Sequence, residues 1–174
     1  MLKKVFFGLL IAFVVIQFIR PKRNLSDDQT NHISTKYNIP EEIDTLLKQA
    51  CYDCHSNKTE YPWYANVQPA AWMLSNHVNE GKEHLNFSEF TNRRIAVQLH
   101  KLEECIEMVE KKEMPLASYT YFGLHKAANL SDEQRLAFNT WARDQINMLK
   151  AAYPKDSLIL KRKKIGAKKN TKTS

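Results

Sequence analysis

An apolar run opens the chain: Val5 to Ile19, 15 residues interrupted only by Gly8 and Gln17, follows Lys3 and Lys4. Wound as a helix it extends about 22 Å, less than the roughly 30 Å of a bilayer's hydrocarbon core. Nothing like a small-x-small site follows it, and Gln17-Phe18-Ile19-Arg20-Pro21-Lys22-Arg23 is a poor signal-peptidase substrate. The pattern predicts an uncleaved signal anchor or transmembrane helix over residues 1–21, stretched by Leu2 and by Lys and Arg snorkelling to the headgroups. A cleaved, soluble periplasmic form is the alternative. Basic residues nearly balance on its two sides, so the positive-inside rule does not orient it. Residues 22–37 are polar, with Asn24, Ser26, Asp27, Asp28, Gln29, Thr30 and Asn31, and read as a tether.

Helical periodicity begins after the tether. Asn38-Ile39-Pro40-Glu41 opens a helix with Pro in its first turn and acids at the positive end of its dipole, and Ile43, Leu46, Leu47 and Ala50 form its stripe. An aromatic loop, Tyr61-Pro62-Trp63-Tyr64, precedes a short helix over Ala70–Glu80 that is expected to end at Gly81 as a C-cap. The longest helix is expected from Ser88, as N-cap, to Lys112, because Ile95, Leu99, Leu102, Ile106 and Val109 share one face. A last helix starts at Ser131 with Gln134 as its capping-box partner and buries Phe138, Trp141, Ala142, Ile146 and Leu149. No stretch alternates with period two. The fold class is all-α, with a domain over 38–153 and a basic, disordered tail over 154–174.

Composition changes this picture little, but charge does. A length of 174 residues holds one domain plus appendages, and the net charge of +7 suggests nucleic acid until it is located. Seven basic residues lie between Lys161 and Lys172, and five flank the apolar run: Lys3, Lys4, Arg20, Lys22 and Arg23. The remainder holds 14 basic against 19 acidic residues, so the domain itself is acidic and no nucleic-acid partner is expected. The basic tail suits either anionic headgroups or a solubilising role.

Cys51-Tyr52-Asp53-Cys54-His55 carries the chemistry. C-x-x-C-H is the pattern of c-type haem attachment. Two thiols on one turn can each add to a porphyrin vinyl group, and the next residue places its imidazole under the iron. Zinc would need a second ligand pair, and the histidines downstream of the motif, His77, His84, His100 and His125, are scattered. A redox dithiol would want a βαβ setting, and a disulfide would leave one of three cysteines unpaired. These remain the competing readings.

A second axial ligand must come from elsewhere. Met114, in Met114-Pro115, supplies a soft neutral thioether on the loop after the long helix, and His/Met iron has a raised potential. His77 is the rival, giving His/His iron. Met73, Met108 and Met148 are expected to pack, and His84, His100 and His125 to lie at the surface or at caps. Tyr61, Trp63, Tyr64 and Trp72 are candidates to wall the porphyrin, and Arg93 and Arg94 to meet its propionates. Cys105 is expected as a buried apolar residue. Glu103, Glu104, Glu107, Glu110 and Glu113 form either a solvated face or a docking face for a basic redox partner.

Cys51-Tyr52-Asp53-Cys54-His55-Ser56-Asn57 with Tyr61-Pro62-Trp63-Tyr64 resembles the small haem-binding-domain family of bacterial envelope proteins, themselves similar to class I cytochromes c. Asn86-Phe87-Ser88-Glu89-Phe90, Glu113-Met114-Pro115-Leu116, Ser118-Tyr119-Thr120, His125 and Leu130-Ser131-Asp132-Glu133 match it too, over about residues 38–150. The resemblance implies covalent haem c at Cys51 and Cys54, proximal His55, distal Met114, and first and last helices that cross with Trp141 near Leu46 and Leu47. The 88–112 helix and the basic tail depart from a minimal cytochrome. The expected function is a single-pass, inner-membrane monohaem cytochrome that transfers electrons in the periplasm and is not an enzyme. Its expected partners are haem, membrane lipid through the N-terminal helix, and a redox protein. A haem sensor or haem enzyme with an open distal site is the alternative, as is a zinc or disulfide interaction module.

Overall fold

The protein is described here by a computed structural model covering residues 1–160, with only the backbone at Phe122; the basic run Lys161–Lys172 lies outside the described residues. Among the described residues there are seven α-helices and no strand, only isolated bridges pairing Leu25 with Lys58 and Asn31 with Glu89. In chain order the helices are α1 Leu2–Ile16, α2 Glu41–Ala50, α3 Tyr52–His55, α4 Ala70–His84, α5 Ile95–Glu110, α6 Ala117–Thr120 and α7 Asp132–Ala152. No helix among the described residues is long and apolar enough to cross a membrane, and α1 buries none of its residues.

The core forms where the stripes meet. Helices α5 and α7 make the main pair and α2 packs across α7. Ile43, Leu46 and Leu47 of α2 join Leu99, Leu102 and Val109 of α5 and Phe138, Trp141, Ala142, Ile146 and Leu149 of α7 in one buried cluster. Trp141 buries its ring there while its indole N–H donates to the Asn38 carbonyl at 2.9 Å, so the expected crossing of first and last domain helices is present. Helix α7, not the 88–112 segment, is the longest at 21 residues, and it opens with the reciprocal Ser131–Gln134 capping box.

Three boundaries differ from expectation, each for a local reason. Helix α5 starts at Ile95 rather than Ser88, because residues 86–91 bond sideways. Phe87 N–H donates to the His55 carbonyl at 2.7 Å, its carbonyl accepts from Ile33 N–H at 2.9 Å, and Thr91 N–H donates to Asn31. Ser88 is fully buried and its hydroxyl accepts from Asn57 N–H instead of capping a helix. Helix α4 runs through Gly81 to His84, so Gly81 is interior to it. The polar stretch after residue 22 is no free tether: Ile33 and Tyr37 are fully buried, Tyr37 donates to Gln98 at 2.6 Å, and Ser26 and Thr59 N–H groups tie residues 24–26 to 57–59. Polar composition hid a segment whose two apolar side chains reach the core. Beyond α7, Leu158 also packs partly against the core.

Candidate functional site

Helix α2 ends at Cys51, and the chain tightens into α3, with His55 and Cys54 N–H groups both donating to the Cys51 carbonyl at 2.9 and 3.2 Å. That turn carries the two thiols and the imidazole on five consecutive residues. Cys51 packs on the main core, whereas Cys54 packs with Leu74 and Val78 of α4 and with Tyr61 and Tyr64. All three cysteines are free thiols. Burial pushes the Cys51 thiol up to about 12, helped by the nearby Cys105 and Cys54, and pushes Cys54 up to about 11, helped by Asp53. Both therefore stay protonated at neutral pH in the absence of a bound group. No group of three or more potential ligands is placed to hold a metal ion among the described residues.

Helix α4 builds the back of the site. His55 Nδ1 lies 2.8 Å from the Gly81 carbonyl and 3.0 Å from the Leu85 carbonyl. A carbonyl can only accept, so Nδ1 carries the proton and Nε2 keeps its lone pair on the other side of the ring. Burial holds the imidazole below its ordinary pKa, so the neutral, ligating form prevails. Gly81 makes this possible. A Cβ there would sit 2.6 Å from the Cys54 carbonyl oxygen, so α4 can press against the attachment turn only with glycine at this position.

The two candidate sixth ligands lie on different elements. His77 is half-buried on α4, the same helix whose Gly81 carbonyl meets His55 Nδ1. Met114 follows the end of α5. Its N–H and that of Glu113 both return to the Met108 carbonyl, with Lys112 left-handed at φ 59° between. Arg135 of α7 donates to the Val109 and Met114 carbonyls at 2.9 and 2.8 Å and holds the loop to the bundle. Three residues into the next stretch, α6 carries Tyr119, whose hydroxyl donates to Asp53 Oδ2 at 2.7 Å, inside the attachment motif itself. Tyr119 stacks on His125 with ring centroids 4.0 Å apart, and His125 Nε2 is 2.8 Å from the Tyr64 hydroxyl. The segment after Met114 is thus laced to the turn that bears Cys54.

These groups suit a haem. A neutral imidazole is backed by two carbonyls and follows two buried thiols on one turn, and Cys54 shares an apolar cluster with Tyr61 and Tyr64.

Other expectations fare unevenly. Tyr61 and Tyr64 belong to this cluster, but Trp63 is 75% exposed and Trp72 turns its indole N–H to the Ile19 carbonyl, away from the motif. His125 takes the N-cap position of the single turn Lys126–Ala128, as expected of a capping residue, but its ring is half-buried in the aromatic stack. Met73 is 61% exposed and does not pack. Arg93 and Arg94 are exposed before α5. Much of the acidic face is neutralised within the chain, through Lys101–Glu104, Lys111–Glu107, Arg143–Glu110 and Lys150–Glu103 pairs. The members of the Asp53–Tyr119–His125–Tyr64 chain lie in motifs that carry the family resemblance, but no spacing in the sequence signals that they bond to one another. A hollow of about 420 Å³ between α2 and the start of α7, lined by Glu41, Glu42, Thr45, Leu46, Gln49 and Gln134, includes none of the haem-site residues.

No curated protein and no solved structure matches the chain. The family model of the haem-binding domain matches residues 11–144, a span that takes in the attachment turn, the Gly81 and Leu85 carbonyls that back His55, Met114 and the first half of α7, so the chain belongs to the haem-binding domain family.

Proposed function

We propose that this haem-binding protein is a monohaem c-type cytochrome, anchored by α1 in the cytoplasmic membrane, that passes single electrons in the periplasm and is not an enzyme. Cys51 and Cys54 would hold haem c through two thioether bonds, His55 Nε2 would take one axial position and Met114 Sδ the other. Bound here, the haem would supply a one-electron couple. The observation that carries the reading is the ring of His55. The Gly81 and Leu85 carbonyls fix its tautomer and orientation, leaving Nε2 as the free donor one residue after Cys54 of the C-x-x-C-H turn.

Each remaining group has a physical part. The Gly81 and Leu85 carbonyls make the imidazole a stronger donor, which favours the oxidised metal. A Met114 thioether would act in the opposite sense, because soft neutral sulfur favours the reduced one. Tyr61, Tyr64, Tyr119 and His125 would exclude water from the site. A redox protein is the proposed partner, meeting the domain where acidic side chains remain unpaired.

The reading is tested by expressing the chain with a cytochrome c maturation system and extracting it with acidified acetone. Haem that stays with the polypeptide and gives a c-type haemochrome spectrum upholds it; a colourless polypeptide refutes it. Replacing Met114 by Ala should abolish the weak sulfur-to-iron charge-transfer band of the oxidised protein while leaving the haem attached. If that band persists in the variant, Met114 is not the ligand.

A further inference from the structure

The foot of α1 is not loose. Gln68, fully buried at the start of α4, accepts from and donates to Gln17: its N–H meets Gln17 Oε1 at 2.9 Å, and its side chain donates to the Ile19 carbonyl at 2.8 Å. Trp72 donates to the same carbonyl at 3.0 Å. Arg20 then bonds to the Asn66 carbonyl, and Arg23 bonds to the Asn66 side chain while lying over the Tyr61 ring. Between this segment and α4 lies a pocket of about 210 Å³, walled by Arg20, Lys22, Arg23, Tyr61, Asn66 and Ser75. No acidic residue lines it.

Two surroundings narrow what such a pocket can hold. On one side rises α1, apolar around its whole circumference and without one buried residue. On the other, apolar side chains stand in solvent: Trp63 at 75%, Met73 at 61% and Val67 at 39% exposure. A cationic pocket bounded by a naked apolar helix and by exposed tryptophan is the arrangement of a protein edge at a membrane–water interface. Each guanidinium uses few of its five N–H donors on Asn66, and the rest suit the paired oxygens of a phosphodiester.

We infer that this pocket takes the phosphodiester head of an anionic phospholipid, seating the haem domain directly on the bilayer with Trp63, Val67 and Met73 at headgroup level. The inference rests on the proposed insertion of α1 in a membrane. It makes the domain's orientation to the membrane fixed rather than free, because residues 17–23 are bonded to α4 and to the turn before it.

The test uses the full-length, haem-loaded protein and vesicles of phosphatidylcholine with or without phosphatidylglycerol. Flotation should show binding to both, tighter with phosphatidylglycerol. In R20Q/R23Q the phosphatidylglycerol preference should fall about 30-fold, for two charges at roughly 1 kcal/mol each, and K22Q should lose about fivefold. R20K/R23K, which keeps the charge but loses the fork, should fall between wild type and R20Q/R23Q. The basic tail is the same in every variant and cancels. A nitroxide on W63C, read in the reduced diamagnetic protein, should gain oxygen accessibility and lose accessibility to a water-soluble nickel reagent on phosphatidylglycerol vesicles.

If R20Q/R23Q, folded by circular dichroism and with an unchanged haem spectrum, keeps the wild-type preference, the pocket assignment is wrong while the anchor stands. If the wild-type protein floats with neither vesicle, the anchor reading itself fails. If millimolar inorganic phosphate abolishes the preference and the Trp63 label stays in water, the pocket is a free-anion site and the lipid assignment is overturned.

Discussion

The two sides of the haem site are built by different means. Behind His55 the protein uses backbone: the Gly81 carbonyl in α4 and the Leu85 carbonyl at its C-cap grip the ring, and one missing side chain, at Gly81, lets the helix come close. Around Met114 it uses side chains on short turns: Arg135 onto two carbonyls, Tyr119 onto Asp53, and His125 onto Tyr64. A backbone grip inside a 15-residue helix can be changed only by moving the helix. A side-chain clasp over an irregular loop opens when one partner is lost. His55 is therefore held rigidly, whereas the Met114 loop rests on separable contacts, so under the proposed His55/Met114 ligation perturbations should expose the sixth coordination position first.

The largest effect should come from the proximal side. Gly81→Val places a branched side chain where even a Cβ meets the Cys54 carbonyl at 2.6 Å, and should cost about 3 kcal/mol of stability. Denaturant unfolding would measure it, and holo yield should fall in parallel. Next is Tyr119→Phe. It removes the hydroxyl that donates to Asp53, a half-buried charged hydrogen bond worth about 1.5 kcal/mol. Its signature is selective: the charge-transfer band should be lost at lower denaturant or temperature than in wild type, while covalent haem remains.

Ser131→Ala breaks the capping box of α7, the helix that delivers Arg135 to the Met114 loop, and should cost about 1 kcal/mol in thermal or chemical unfolding.

The smallest effect is a pH dependence. His32 stacks edge-on against Tyr52 of the motif, and burial holds its pKa below the ordinary 6.5. The unfolded chain then takes up this proton before the folded one. Its contribution is full above about 6.5 and is lost as pH falls through that value towards the folded pKa. His32→Asn should flatten the stability profile in that window. An unchanged slope would mean that His32 titrates alike in both states.

Legibility of the sequence followed the same divide. The stripe of Ile43, Leu46 and Leu47 and the capping box at Ser131 are local patterns, and each appears as expected because neighbouring residues alone decide it. Gly81 was misjudged as a helix stop since its reason for being glycine is a contact with Cys54, 27 positions earlier. Ser88 has the composition of a cap, yet the Asn57 amide claims its hydroxyl. Residues 24–37 look like linker by polarity, but Ile33 and Tyr37, two apolar side chains among many polar ones, are enough to bind the segment to the core. The Asp53–Tyr119–His125–Tyr64 chain joins residues up to 72 positions apart, and no periodicity carries such information.

The central claim is that Cys51 and Cys54 together hold one haem covalently, with His55 beneath it. Intact-mass measurement of the protein matured in competent cells tests it most directly. The account predicts a polypeptide heavier by the mass of one haem, a shift that vanishes in C51S/C54S. A wild-type mass equal to that of the bare polypeptide would contradict it.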